Sequence, residues 1–182
     1  MFDLRKLIFG AIVLTLLAFM TFGFQFKLFL SSPINISAPI EGFEIKSGMS
    51  FSEVSSELAG LGLVTHPVFF QLYGRLSGHA GSLQAGEYVI EQGVTPVGLL
   101  KKFVAGNVRL YSFTAVEGWT FSDFWRRLGE HRAIDKSFEV LDVTHLMRLL
   151  GVAESHPEGL FLPETYLFPK GTKDIEILKQ AY

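Results

Sequence analysis

From Leu7 to Phe26 no side chain is charged, while Arg5 and Lys6 precede the run and Lys27 follows it. Twenty helical residues at about 1.5 Å each reach roughly 30 Å, the hydrocarbon thickness of a bilayer. The pattern therefore predicts a transmembrane helix over residues 7–26, preceded by a short tail at 1–6. Basic residues cluster on the short N-terminal side, and only Lys27 stands between the span and Glu41. The positive-inside bias then keeps the N-terminus in the cytoplasm and sends residues 27–182 across. A cleaved signal peptide would need small residues where Phe22–Phe26 supplies bulky ones. A buried core helix is rarely uncharged on every face for so long.

Residues 27–40 read as a linker, with "SSPINISAPI" its extended part. Beyond it one pattern returns three times: a strand-like run, then Gly-x-Ser/Thr, then an amphipathic helix. In "FEIKSGMSFSEVSSELAGLG", Gly48 turns the chain, Ser50 caps and Glu53 completes a capping box. Val54, Leu58 and Leu61 form its apolar face. In "EYVIEQGVTPVGLLKKFVAG", Gly93 turns and Thr95 caps, Pro96 takes the first helical position, and Gly106 closes the helix. In "RLYSFTAVEGWTFSDFWRRLGEH" the same roles fall to Gly118, Thr120 and Asp123. Its face is Phe121, Phe124, Trp125 and Leu128.

Between the first two copies, "HPVFFQLYGRLSG" reads as a helix with Val68, Leu72 and Leu76 on one face, and "LQAGEYVI" returns as a strand. Residues 41–106 thus read as a small α+β domain, strand–helix–helix–strand plus a helix. That order is the arrangement of a LysM module, a glycan-binding fold, which is one candidate among several; Gly-x-Ser/Thr before a helix is also ordinary βα-loop chemistry, common in any α/β protein. After His131 the pattern blurs. "THLMRLLG" suggests a short helix capped by Thr144 and closed by Gly151. "HPEGLFLPETYLFPKGT" holds so many prolines and glycines that it suits neither a helix nor a simple strand. A last helix starts at Thr172 or Asp174 and reaches Tyr182 with no closing signal, which reads as a chain cut within a domain.

A formal charge of −2 without a basic stripe argues against nucleic acid as a partner. The absence of cysteine excludes disulfides and thiolate metal sites. His66, His79, His131, His145 and His156 lack metal-ligand spacing, and no phosphate loop or serine elbow is present, so no cofactor is expected. Glu158 and Glu164 are the carboxylates of the Pro/Gly/aromatic stretch. A glycosidase pair would sit about 5–9 Å apart. Six extended residues span roughly 20 Å, so pairing requires a sharp turn near Leu162–Pro163. The alternative is that Glu158 accepts backbone N–H bonds while Glu164 faces solvent. Glu117 either points into a cleft or ends a strand, and the strand end is the favoured reading. Trp119, Trp125, Tyr166 and Phe168 suit either sugar stacking or core packing.

Taken together, the N-terminal anchor, the LysM-like order, "LQAGEY", "VEGWTFSDF" and "PEGLFLPETYLF" resemble the YceG-like family of endolytic murein transglycosylases. Glu164 stands where that family usually shows aspartate. The resemblance implies an α+β protein: an anchor, a LysM-like domain (41–106), and at 107–182 the first part of a mixed α/β catalytic domain. It implies a single-pass protein of the inner membrane, with its bulk periplasmic. Its activity would cleave nascent glycan strands after N-acetylmuramic acid to leave 1,6-anhydromuramoyl ends. It carries Glu158, Gly159, Glu164, Thr165 and Tyr166 over as substrate-binding residues. The family's catalytic glutamate lies in a Glu-x-Glu-Thr helix with no counterpart before Tyr182, so no catalytic residue is assigned and this stretch alone is expected to be inactive. Peptidoglycan strands, inner-membrane lipid and peptidoglycan synthases are the implied partners. A membrane-tethered, non-catalytic peptidoglycan-binding module is the alternative.

Overall fold

The computed structural model describes residues 4–34, 36–137, 142–151 and 156–182. Phe138, Val140 and Leu141, which the sequence groups with the segment before the short helix, lie outside them. The chain is mixed α+β and divides into two compact units, Met1–Asn107 and Val108–Tyr182.

In the first unit, α1 (Leu4–Ser31) is the helix of the apolar run. Among the described residues it is the one helix long and apolar enough to cross a membrane. It continues five residues past Phe26, and its end is not followed by a free spacer. Ile34 is buried, and its N–H donates to Val94 O at 2.7 Å. Then come β1 (Ile40–Ile45), α2 (Phe51–Gly60), α3 (Pro67–Leu76), β2 (Gly86–Ile90) and α4 (Pro96–Ala105). β1 and β2 pair antiparallel, Phe43 opposite Tyr88 and Ile45 opposite Gly86. Phe43, Tyr88 and Phe103 pack ring on ring beneath this hairpin-like pair. The strand–helix–helix–strand order is thus observed, with α4 closing the core.

The second unit holds β3 (Leu110–Thr114), α5 (Phe121–Glu130), β4 (Ile134–Asp135), α6 (Val143–Leu150), β5 (Thr165–Pro169), β6 (Thr172–Lys173) and α7 (Asp174–Ala181). β3 pairs antiparallel with β5, Phe113 opposite Tyr166, and β4 pairs parallel with β6. Phe113, Phe124, Leu128, Phe168, Ile177 and Leu178 form the core.

The repeated turn behaves alike in all three places. Gly48, Gly93 and Gly118 have φ of 83, 83 and 82°, a left-handed conformation that glycine adopts without strain. Two residues on, Ser50, Thr95 and Thr120 each accept the N–H of the third helical residue. The box is reciprocal at α2 and α5, where Glu53 and Asp123 return a carboxylate; at α4 that position is Gly98, which cannot.

Four expectations are corrected. The inward face of α3 is Phe70 and Gly74, whereas Val68 and Leu76 are exposed. The cause is steric: Phe51 of α2 stacks on Phe70 at 5.2 Å and fills the space that only a glycine at 74 leaves open. Leu61 is the C-cap of α2 and exposed; Phe51 and Ser55 join Val54 and Leu58 on the buried face. The cap of α6 is Asp142, whose carboxylate accepts the His145 N–H, and not Thr144. Within the Pro/Gly stretch, Thr165–Pro169 is a regular strand whose Tyr166 and Phe168 point inward. Pro169 is tolerated there because it ends the strand.

Candidate functional site

A cavity of about 340 Å³ lies in the second unit, between the β3–α5 turn and the stretch 157–163. One wall is Glu117, Gly118 and Trp119, and the other is Pro157, Glu158, Gly159 and Phe161. β3 ends at Thr114, so Glu117 stands three residues beyond the strand and lines the cavity; the reading of it as a strand end is corrected.

The first wall is fixed by backbone bonds. Ala115 N–H donates to Glu164 O at 2.9 Å, and Trp119 N–H to Val116 O at 3.3 Å. Trp119 is half-buried, tilted against Phe113 at 6.3 Å, with the Arg127 guanidinium 5.6 Å from its ring centre. The second wall is held at its C-terminal end through both backbone groups of Leu162. Leu162 N–H donates to Ala181 O at 2.7 Å, and Leu162 O accepts the Tyr166 hydroxyl at 2.6 Å. Burial pushes the Tyr166 phenol above its ordinary pKa, and the nearby Glu164 charge adds to the effect. The hydroxyl therefore keeps the proton it donates. Phe161 stacks on Phe121 at 5.1 Å and leans on Phe124 at 5.7 Å.

Glu158 joins the walls. Its Oε2 accepts the Phe121 N–H at 3.0 Å, at the first residue of α5. That end of the helix is thus held twice, by Glu158 and by the Thr120–Asp123 box. The Thr120 hydroxyl, donating to Asp123 at 2.7 Å, is the main cause that holds the Asp123 carboxyl below its ordinary pKa; Arg126 contributes next. A carboxylate has about four lone-pair sites, so one helix bond leaves Glu158 capacity to accept a ligand hydroxyl.

Of the five residues expected to bind substrate, Glu158 and Gly159 line this cavity. Glu164, Thr165 and Tyr166 are not among its lining residues. Glu164 is exposed, Thr165 shares a 2.9 Å hydroxyl contact with Thr114 across the strand pair, and Tyr166 is buried in the core. Phe161 and Pro157 are wall residues that sequence reading did not single out; the density of prolines and glycines around them was the available signal. Among the described residues no group of three or more His, Asp or Glu could hold a metal ion. A larger cavity, about 500 Å³, lies in the first unit and is lined by Phe29, Leu63, His66 and Phe69 among others; no carboxylate is among its lining residues.

Glu158→Ala should loosen the second wall from α5. Losing one charge-assisted bond to a helix N–H costs about 1–3 kcal/mol, and Glu158→Gln, which keeps an acceptor oxygen, should lose less. Hydrogen exchange of the α5 first turn measures this; unchanged protection in the alanine variant would deny the brace.

An α+β chain with an N-terminal helix long and apolar enough to cross a membrane, and a carboxylate- and aromatic-walled cavity, is the class of protein that these features define. The chain belongs to the YceG-like family, whose model matches residues 43–182. It is also similar to a solved yceG-like protein from Listeria monocytogenes, at 20% identity and a TM-score of 0.39, covering 80% of this chain and 54% of that one. The chain therefore spans about half the length of that protein. No curated protein matches it.

Proposed function

We propose that the chain is the anchored N-terminal part of an endolytic murein lytic transglycosylase, with the cavity of the second unit as a glycan-binding subsite. The family match over residues 43–182 carries this reading. The apolar α1, flanked by Arg5 and Lys6, supports a single-pass anchor in the inner membrane with the rest of the chain periplasmic. The β1–α2–α3–β2 order supports a LysM-like role for the first unit. Trp119 and Phe161 offer apolar ring surface, and Glu117 and Glu158 offer acceptors for sugar hydroxyls. The cavity is at the small end of the roughly 300–1,000 Å³ range of ligand sites. Peptidoglycan synthases are the proposed neighbours, since they make the strand to be cut.

In the proposed reaction one carboxyl group protonates the leaving O4 as the C1–O4 bond breaks. The resulting carboxylate then takes the proton of the sugar's own C6 hydroxyl as O6 bonds to C1. No water enters, so the second carboxylate of a hydrolase is not required. Because Oε2 of Glu158 already holds α5, we assign it to cavity support and place the acid in the family's Glu-x-Glu-Thr helix, outside this sequence. The same tie favours the second reading, in which residues 1–182 bind glycan without cleaving it.

Muramoyl oligosaccharides should change the tryptophan fluorescence of the reconstituted chain. Trp119→Ala should weaken their binding about tenfold or more, the worth of one ring contact of roughly 1.4 kcal/mol. Equal affinity in the variant would remove the cavity from the proposal.

A further inference from the structure

The geometry points to a second membrane contact: α3 lies on the bilayer beside α1, its Val68–Leu72–Leu76 stripe set into the headgroup boundary. This rests on the reading of α1 as a membrane span. Three phenyl rings of α1, those of Phe22, Phe26 and Phe29, surround Phe69 at 5.3, 5.6 and 5.7 Å. At about 1.5 Å per residue the three span roughly 10 Å of helix axis, centred near Phe26. Phe26 is the last residue before Lys27, so the first turn of α3 stands level with the edge of the uncharged run.

The ring contacts between α1 and α3 lie at one end of α3. His66 and Phe69, at its first turn, meet the aromatic rings of α1. No ring contact of α1 with Tyr73, one turn further on, occurs among the described residues. All the α1–α3 ring contacts lie at this first turn, and in the proposed arrangement the rest of α3 runs along the bilayer surface.

The outward face has the composition for that place. Counting about 100° per residue from Val68, Leu72 falls near 40°, Leu76 near 80° and Phe69 near 100°, while Phe70 and Gly74 fall near 200 and 240° on the core side. The stripe, exposed at Val68 and Leu76 and half-buried at Leu72, is thus continuous with the ring that touches α1. Val68 is 70% exposed and Leu76 is 71% exposed, values that suit lipid contact and not a core face. Arg75 is exposed beside Leu76, where its guanidinium would meet anionic headgroups. With α1 as the span, the edge of the bilayer lies beside Phe69, which is why lipid is the assigned occupant of this stripe and a protein partner is not.

The chain has no cysteine, so single-cysteine variants need no background change. Val68→Cys, Leu76→Cys and Phe19→Cys would carry nitroxides in vesicles of phosphatidylethanolamine and phosphatidylglycerol. Their relative exposure to oxygen and to a water-soluble nickel chelate reports depth. The expected result is a deep lipid signature at Phe19 and a shallower lipid signature at both Val68 and Leu76. Water-like values at either α3 position, with Phe19 deep, would overturn the contact and leave the span standing. Water-like values at Phe19 would overturn both.

Discussion

Asp174→Ala should destabilise the second unit by about 3 kcal/mol, on the order of a hundredfold in the opening equilibrium. Asp174 is buried to 2% exposure and opens α7. Both its carboxylate oxygens lie 3.0 Å from the Ser137 N–H, and Oδ1 accepts its own helix's Ile175 N–H at 2.7 Å. Removing the carboxylate strands two donors in a place with little water, and each costs about 1–3 kcal/mol. The bond also ties the chain after β4 to the start of α7, next to the β4–β6 pair. Asp174→Asn keeps one acceptor oxygen and should lose about half as much. Native-state hydrogen exchange at Phe113 and Phe168, in the paired strands, gives the measurement. Protection equal to the parent chain would show that Asp174 holds nothing.

Gly74→Ala is the counterpart in the first unit. A methyl group there would lie 2.3, 2.4 and 3.1 Å from three carbons of the Phe51 ring. That ring cannot swing clear without cost, because it is buried and stacked on Phe70. Overpacking of this kind costs about 1–3 kcal/mol, and the rigidity of the stack places Gly74→Ala in the upper half of that range. The steric origin is separable from any loss of helix flexibility. Phe51→Leu alone removes favourable packing, yet combined with Gly74→Ala it should recover part of the loss, giving a double-mutant coupling of about 1 kcal/mol. Additive losses in denaturant titrations of the two variants and their combination would contradict the clash.

What the sequence discloses is mostly local. The three Gly-x-Ser/Thr turns, their caps and the helices after them are settled by residues within four positions of one another, so reading along the chain finds them. The order of elements in residues 41–106 follows from those signals. The inward face of α3 does not, because both its faces are apolar and the choice is made by Phe51, about twenty positions earlier. Strand β5 is masked by Pro163 and Pro169 at its edges, and only pairing with β3 makes it regular. The two carboxylates that brace the second unit act at long range: Glu158 on Phe121 and Asp174 on Ser137, each across 37 residues. Nothing nearby in sequence distinguishes them from surface acids. Glu117 shows the opposite case, a residue whose neighbours suggested a strand end while the turn at Gly118 set it on the cavity wall.

The most direct test of the proposed function is the chemistry of the cut ends. The protein that carries this chain together with the family's Glu-x-Glu-Thr helix would be given freshly polymerised, uncrosslinked glycan strands, and the products read by mass spectrometry. The expected result is internal cleavage with 1,6-anhydromuramoyl termini, and none of these products from residues 1–182 alone. Reducing N-acetylmuramic acid termini, heavier by one water, would contradict the account by showing a hydrolase.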